Sequence, residues 1–323
     1  MASKKGIYLS IVLPVYNEEE NIKLQYERII ETVTPLKKSF EVIFVDDGSR
    51  DKSIDLLTAI AKKDKRVKVV QFRRNFGQTA AMAAGIDHSI GEVIVFMDAD
   101  LQNEPADIAK LLDKIEEGYD VVSGWRFNRQ DKTLSRKIPS KIANRLISRV
   151  TGVPLHDLGC SLKAYRSEVL KKVKLYGEMH RFIPIHASWV GAKIIELPVG
   201  HHPRQFGKSK YGIKRTFKVM LDLMTVKFLG SFATKPIYLY GGAGFILTGL
   251  SFLCGIAVIL MKYLLGYNMT GNPFLLLTVM FFLLAVIMLL MGLQAEILIR
   301  IYHEAQDIHP YHVKKTINIK EKF

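Results

Sequence analysis

Two long apolar runs near the C-terminal end constrain the fold more than any other feature. From Ile237 to Gly266 the only charge is Lys262, near the end of the run, and a second run from Pro273 to Ile299 is uncharged until Glu296. Each exceeds the roughly 20 residues that cover the hydrocarbon core of a bilayer, so the pattern predicts two transmembrane helices. A helical hairpin buried in a soluble core fits their length and pairing poorly. The connecting segment GYNMTGN has no Lys or Arg. The stretch before the spans carries Lys208, Lys210, Lys214, Arg215, Lys218, Lys227 and Lys235, and the segment after them carries Arg300, Lys314 and Lys315. The positive-inside rule then predicts a multi-pass membrane protein with the N-terminal domain and both termini cytoplasmic. The apolar run before the first acidic residues is too short for a secretory signal.

The formal net charge is +15. Because the cations crowd towards the spans, they point to anionic lipid headgroups rather than nucleic acid. Two cysteines, Cys160 and Cys254, cannot build a disulfide framework or a zinc cluster, which suits a reducing compartment. Small residues at helical spacing in the spans, Ser251, Gly255 and the run Gly241-Gly242-Ala243-Gly244, permit close helix packing and suggest a homo-oligomer. Glu296 and Arg300 are spaced to pair on one helix face.

Before the spans, short β-branched runs alternate with helical patterns: SIVLPVY, a polar helix from about Glu18, EVIFVDD, a helix, VKVVQF, a helix, and EVIVFMD. The order βαβαβαβ predicts an α/β fold, a mainly parallel sheet flanked by helices. YDVVSGW and KIIELPV read as further strands, Arg136 to Val150 as a basic helix, and Tyr211 to Gly230 as an amphipathic helix whose apolar face either rests at the membrane interface or packs against the α/β domain. The expected organisation is a cytosolic domain over 1–210, a juxtamembrane helix over 211–234, the two spans over 235–302 and a cytosolic tail over 303–323.

Ligands of such sheets bind beyond the carboxyl ends of the strands, and Tyr16, Asn17, Asp46, Asp47, Asp98 and Asp100 all fall there. In MDADLQ, Asp98 and Asp100 can jointly present oxygens to a hard divalent cation, Mg2+ or Mn2+, which can bridge a diphosphate. In PVYNEEEN, Asn17 can cap the next helix and the Glu run suits its positive end. In VDDGSRD, Gly48 permits a tight turn, and Asp46 or Asp47 can accept hydrogen bonds from a base or ribose, or simply form the turn. Four later segments supply cations and one acid: Arg126 in SGWR, Arg136 with Ser140 in SRKIPS, Asp157 in HDLGCSLKAYR, and Arg204, Ser209 and Lys210 in RQFGKSKY. Arginine's fork suits phosphate oxygens.

PVYNEEEN, VDDGS and MDADLQ, in this order and spacing, resemble the family 2 glycosyltransferases of fold type A, over about Ile7 to Tyr211. They resemble in particular the polyprenyl-phosphate branch that includes dolichyl-phosphate mannose synthase and the bacterial undecaprenyl-phosphate glucosyltransferases. The resemblance implies that Pro14, Tyr16, Glu18, Asp46, Asp47, Asp98 and Ala99 bind the nucleotide sugar. It implies further that Asp98, Asp100 and Gln102 hold the metal, that Arg126, Arg136 and Ser140 contact the acceptor phosphate, and that Arg204 and Lys210 close over the donor. Asp100, Arg126, Arg136 and Asp157 form the expected catalytic set, with Asp157 either a base or the orienter of an arginine. The expected reaction is metal-dependent, inverting transfer of a hexose from a nucleotide sugar to a polyisoprenyl phosphate. UDP-glucose and undecaprenyl phosphate are preferred because two C-terminal spans fit the bacterial glucosyl branch. The alternatives are a GDP-mannose-dependent mannose synthase and a catalytically silent membrane scaffold. A processive polysaccharide synthase would carry Q-x-x-R-W, and neither Trp125 nor Trp189 is preceded by that pattern.

Overall fold

The computed structural model describes residues 6–127, 148, 151–173, 175, 179–203, 237–266, 268, 270, 272–304 and 311–319. The expected helix over Arg136 to Val150 and the interface helix over Tyr211 to Gly230 fall almost entirely outside these residues. Two compact units form, one from the N-terminal part together with the segment after His309, the other containing both apolar helices.

The first unit is a mixed, mainly parallel sheet. Its strands are β1 (Leu9–Val15), β2 (Phe40–Asp46), β3 (Val67–Phe72), β4 (Val93–Phe96), β5 (Val121–Trp125), β6 (Lys163–Arg166), β7 (Ile194–Pro198) and β8 (Val313–Ile317). They lie in the order β7-β5-β6-β4-β1-β2-β3-β8. Strands β1 to β4 pair in parallel, as do β5 and β7. Antiparallel β6 and β8 join them at β4, β5 and β3.

Every residue of β2 is buried, as expected of a central parallel strand covered on both faces. In β1 the period of two sends Leu9, Ile11, Leu13 and Val15 to one core and Val12 to the other. Helices α1 (Ile22–Val33), α2 (Ser53–Lys63) and α4 (Asp107–Glu116) cover the first face. Helix α3 (Gln78–His88), the single turn α5 (Ser167–Leu170) and α6 (Ile183–Trp189) cover the second. Each fully buried Leu, Ile or Val contributes about 1.5–3 kcal/mol.

Three sequence expectations change. The helix expected from Glu18 starts at Ile22, and Asn17 does not cap it. At φ +53°, Asn17 accepts a hydrogen bond from the Arg50 backbone N–H at 2.8 Å and so ties the β1–α1 loop to the β2–α2 loop. The segment after the spans is more than a tail, because Val313–Ile317 pairs with β3 as an edge strand. The Tyr311 ring stacks on Phe72 at 5.2 Å and its hydroxyl donates to Asp87 Oδ2 at 2.7 Å, while Asn318 Nδ2 donates to the Ala61 and Val67 carbonyls.

The second unit is a hairpin of α7 (Ile237–Tyr263) and α8 (Pro273–Glu304), both long and apolar enough to cross a membrane. Phe245, Leu276 and Phe252 are 75%, 72% and 70% exposed, a surface that suits lipid. Two of the small residues serve contacts within the chain: Ser251 Oγ donates to the Thr278 carbonyl at 2.8 Å, and a Cβ on Gly244 would meet Leu289 Cγ at 3.1 Å. Part of the small-residue set thus packs the hairpin itself, while a Cβ on Gly242 would meet nothing within 4 Å. The expected Glu296–Arg300 pair falls on side chains outside those described.

Candidate active site

The carboxyl ends of β1, β2, β3 and β4 converge on a set of interlocked loops. Asp46, the last residue of β2, is fully buried. Its Oδ1 accepts the Ser49 N–H at 3.2 Å, and Oδ2 has no hydrogen-bond partner among the described residues. Burial raises its carboxyl above the ordinary value, against the Ser49 hydrogen bonds. Asp47 is buried too, and its two oxygens accept the N–H groups of Phe76 at 2.7 Å and Gly77 at 2.9 Å. Burial raises this carboxyl as well, and the two amides oppose the rise.

Gly48 makes this contact possible. Its φ is +70°, and a Cβ there would lie 2.5 Å from the Arg74 carbonyl carbon and 2.8 Å from the Asn75 nitrogen. Only glycine meets both conditions. The β3–α3 loop can therefore pass close over the β2 turn, and the residue after Gly77 reaches the next acid: Gln78 Nε2 donates to Asp98 Oδ1 at 3.0 Å.

In the segment after β4, Leu101 is fully buried in the left-handed region at φ +62°, at a cost of about 1–2 kcal/mol. The bend brings the Gln102 N–H to Asp100 Oδ1 at 3.3 Å and Asn103 Oδ1 to the Asp98 N–H at 3.2 Å. Asn103 Oδ1 also accepts from Ser161 Oγ at 2.9 Å. Asn103 thereby joins the acidic segment to the loop that carries Asp157.

In that loop Asp157 Oδ2 accepts Arg126 Nε at 2.7 Å and Oδ1 accepts Arg126 Nη2 at 2.9 Å, a two-pronged pair with both side chains mostly buried. Burial works against the charge on Arg126, but the Asp157 bonds outweigh it and hold the guanidinium above its ordinary range. Gly159 permits the approach, since a Cβ there would meet Arg126 Nη2 at 3.0 Å. Beneath, Lys163 Nζ donates to the Leu158 carbonyl at 3.0 Å, and burial lowers its ammonium to about 8. Burial pushes the Cys160 thiol up to about 11, so it stays protonated and unreactive near neutral pH.

The expected residues divide as follows. Asp46, Asp47, Asp98 and Asp100 gather at one sheet edge, linked by Gln78, and Arg126 and Asp157 reach them through Asn103. Pro14, Tyr16 and Glu18 lie partly buried at the end of β1. The Ala99 methyl is 3% exposed and packs into the core, so only its backbone can meet a ligand. Arg136, Ser140, Arg204 and Lys210 lie outside the described residues. Sequence reading missed Phe76, Gly77, Gln78 and Asn103. The first three had a legible signal, a glycine between a strand and a helix at the ligand edge.

Among the described residues no group of three or more His, Cys, Asp or Glu is arranged to hold a metal ion. Two carboxylates and an amide oxygen are nevertheless hard donors, which suits a cation completed by substrate phosphates and water. Asp98, Asp100 and Gln102 fit such a group.

Comparison with known proteins agrees with the geometry. The sequence profile of the glycosyl transferase family 2 matches residues 10–174. A dodecaprenyl-phosphate galacturonate synthase from Rhizobium johnstonii is 41% identical over 97% of this chain and 94% of its own length. An undecaprenyl-phosphate 4-deoxy-4-formamido-L-arabinose transferase from Pectobacterium carotovorum is 37% identical over 96% and 94%. Among solved structures, glucosyl-3-phosphoglycerate synthase from Mycobacterium tuberculosis, in complex with Mn2+, UDP-glucose and phosphoglyceric acid, superposes with a TM-score of 0.52 at 20% identity, over 70% of this chain and 80% of that one. It shares the fold. With the family profile on the sheet that carries Asp47, Asp98 and Asp157, and relatives spanning nearly the whole length, the chain belongs to the glycosyl transferase family 2.

Proposed function

We propose that the protein transfers a sugar, with inversion, from a nucleoside diphosphate sugar to a polyisoprenyl phosphate in the membrane. The observation that carries this reading is the continuous linkage from Asp47 through Gln78 to Asp98, and from Asp98 through Asn103 to the Asp157–Arg126 pair. On this reading a donor half and an acceptor half lie side by side. Asp47, Tyr16, Glu18 and Pro14 would line the nucleoside side, while Asp46, expected from the sequence to meet the ligand too, is fully buried and would instead support the turn through Ser49. Asp98, Asp100 and Gln102 would hold Mg2+ or Mn2+, which when bound neutralises charge on the departing diphosphate. The Mn2+ in the complex of the mycobacterial synthase supports a divalent cation in a fold of this kind.

The acceptor phosphate is ionised near neutral pH, so it needs no general base to attack the anomeric carbon. Both Asp157 oxygens accept from Arg126, which favours Asp157 as the orienter of Arg126 over Asp157 as a base. Arg126 keeps N–H groups for a phosphate oxygen and would act with Arg136 and Ser140, while Arg204 and Lys210 would close over the donor. The chain's work is alignment and charge cancellation between two anions.

The donor reading changes. Glucose was preferred because of the paired spans. Relatives that align over at least 96% of this chain, spans included, are named for galacturonate and 4-deoxy-4-formamido-L-arabinose. Paired spans therefore do not select glucose, and these two sugars join UDP-glucose as candidates. The N-terminal sheet and the strand after the spans, Val313–Ile317, pair within one compact unit, which supports a single side of the membrane for both, the cytoplasmic side by charge. A homo-oligomer would use positions such as Gly242, where a Cβ would meet nothing within 4 Å.

The full-length chain in detergent, given undecaprenyl phosphate and radiolabelled UDP-glucose, UDP-galacturonate or UDP-4-deoxy-4-formamido-L-arabinose, should form one lipid-linked monosaccharide. Asp98→Ala should abolish it. A polymeric product, or no product with any donor, overturns the proposal.

A further inference from the structure

Glu196 lies on β7, and in the parallel β5–β7 pairing it stands opposite Ser123, three residues before Arg126. Its side chain is 8% exposed. The carboxylate meets three donors, all on the loop that carries Asp157. Oε1 accepts the backbone N–H of Asp157 at 2.9 Å and of His156 at 3.0 Å, while Oε2 accepts the same His156 N–H at 3.0 Å and lies 2.8 Å from His156 Nδ1. The His156 ring stacks on Trp125 at 4.6 Å, and Trp125 is the residue before Arg126. From the other side of the loop Lys163 holds the Leu158 carbonyl.

One strand pair thus supports both partners of the ion pair, Arg126 directly at the end of β5 and Asp157 through Glu196. Without the carboxylate, two backbone N–H groups and an imidazole lose their acceptor, and the loop loses the contact that sets its height above the sheet.

We infer that Glu196 is a positioning residue for the transfer reaction, fixing the Asp157 carboxylate so that the Arg126 guanidinium faces the acceptor phosphate. The inference rests on the proposed role of Arg126 and Asp157 and extends it to a residue in no recognised motif. Glu196 touches no reacting atom. It acts through the loop.

The test uses the full-length chain in detergent with undecaprenyl phosphate, and both UDP-glucose and UDP-galacturonate as donors. Glu196→Ala should lower kcat on the order of 10- to 100-fold, the scale of a displacement near 1 Å at a reacting centre, and raise the KM for the lipid acceptor. The KM for the donor should stay put. Glu196→Gln, which keeps an acceptor oxygen for the Asp157 N–H, should recover most of the activity. Asp157→Asn serves as the control for the underlying reading. If Asp157→Asn is inactive while Glu196→Ala stays active, the inference about Glu196 fails alone. It also fails if Glu196→Ala raises both KM values together in step with a fallen melting temperature, or if Glu196→Gln restores nothing. If Asp157→Asn is fully active, the reading of the Arg126–Asp157 pair fails, and the role of Glu196 with it.

Discussion

Lys163→Met provides a direct test of the electrostatics beneath the candidate site. The Lys163 side chain sits on β6, is 4% exposed, and makes one hydrogen bond, from Nζ to the Leu158 carbonyl. Burial lowers its pKa from the ordinary 10.5 to about 8, with Cys160 and Asp157 opposing the fall. Since the folded value lies below the unfolded one, the contribution to stability is present above pH 10.5 and is lost as pH falls to about 8. That difference corresponds to about 3 kcal/mol. Methionine fills a similar volume without the charge but leaves the Leu158 carbonyl without its donor, at about 1–3 kcal/mol. At pH 7 the variant should therefore be no less stable than the parent and more stable by up to about 2 kcal/mol, its melting temperature higher by up to about 4–8 °C for a unit of this size. Near pH 10.5 the advantage should vanish and the hydrogen bond's loss should show. Thermal unfolding of the full-length chain, followed by tryptophan fluorescence at both pH values, measures the crossover. A variant less stable than the parent at pH 7 would refute the reasoning, and would mean that Lys163 is kept as a charged partner of Asp157. The transfer rate should fall even where stability rises, because the Leu158 carbonyl loses its tether.

Gly48→Ala puts a methyl 2.5 Å from the Arg74 carbonyl carbon and forces alanine into the left-handed region, about 1–2 kcal/mol before the clash. The donor KM should rise and the melting temperature fall, and parental values for both would count against the close packing of the two loops. Tyr311→Phe removes the hydrogen bond to Asp87 and should cost about 1 kcal/mol in the unfolding of the first unit. An unchanged transition would show that this bond does not secure the C-terminal strand. Chelation with EDTA should abolish transfer, and Mg2+ or Mn2+ should restore it. Activity that survives exhaustive chelation removes Asp98, Asp100 and Gln102 from the role of metal ligands.

The central strands were legible because their signal is local. A run such as EVIFVDD, buried on both faces, has little freedom to be anything but an interior parallel strand, and the acids that follow it must fall at the ligand edge. Strands β6 and β8 were not legible. KAYR is only four residues long, and VKKTI carries the two lysines that suit a sheet edge, so neither has the apolar run that marks a core strand. The start of α1 was misplaced because Asn17, a good cap in isolation, is engaged by a loop more than 30 residues away. Glu196 gave no signal of any kind, since its partners at 156 and 157 lie about 40 residues distant.

The sequence alone determined the membrane hairpin, the mainly parallel α/β sheet and the acids of MDADLQ and VDDGS, because hydrophobic period and strand-end position depend only on neighbours along the chain. Tertiary structure decided what those acids do. Asp47 is committed to the amides of Phe76 and Gly77, Asp98 to Gln78, and Asp157 to Arg126. The segment after the spans returns to β3, and Ser251 and Gly244 pack the hairpin. Each of these contacts joins residues 20 or more positions apart in the chain, which a reading of neighbours along the sequence does not reach.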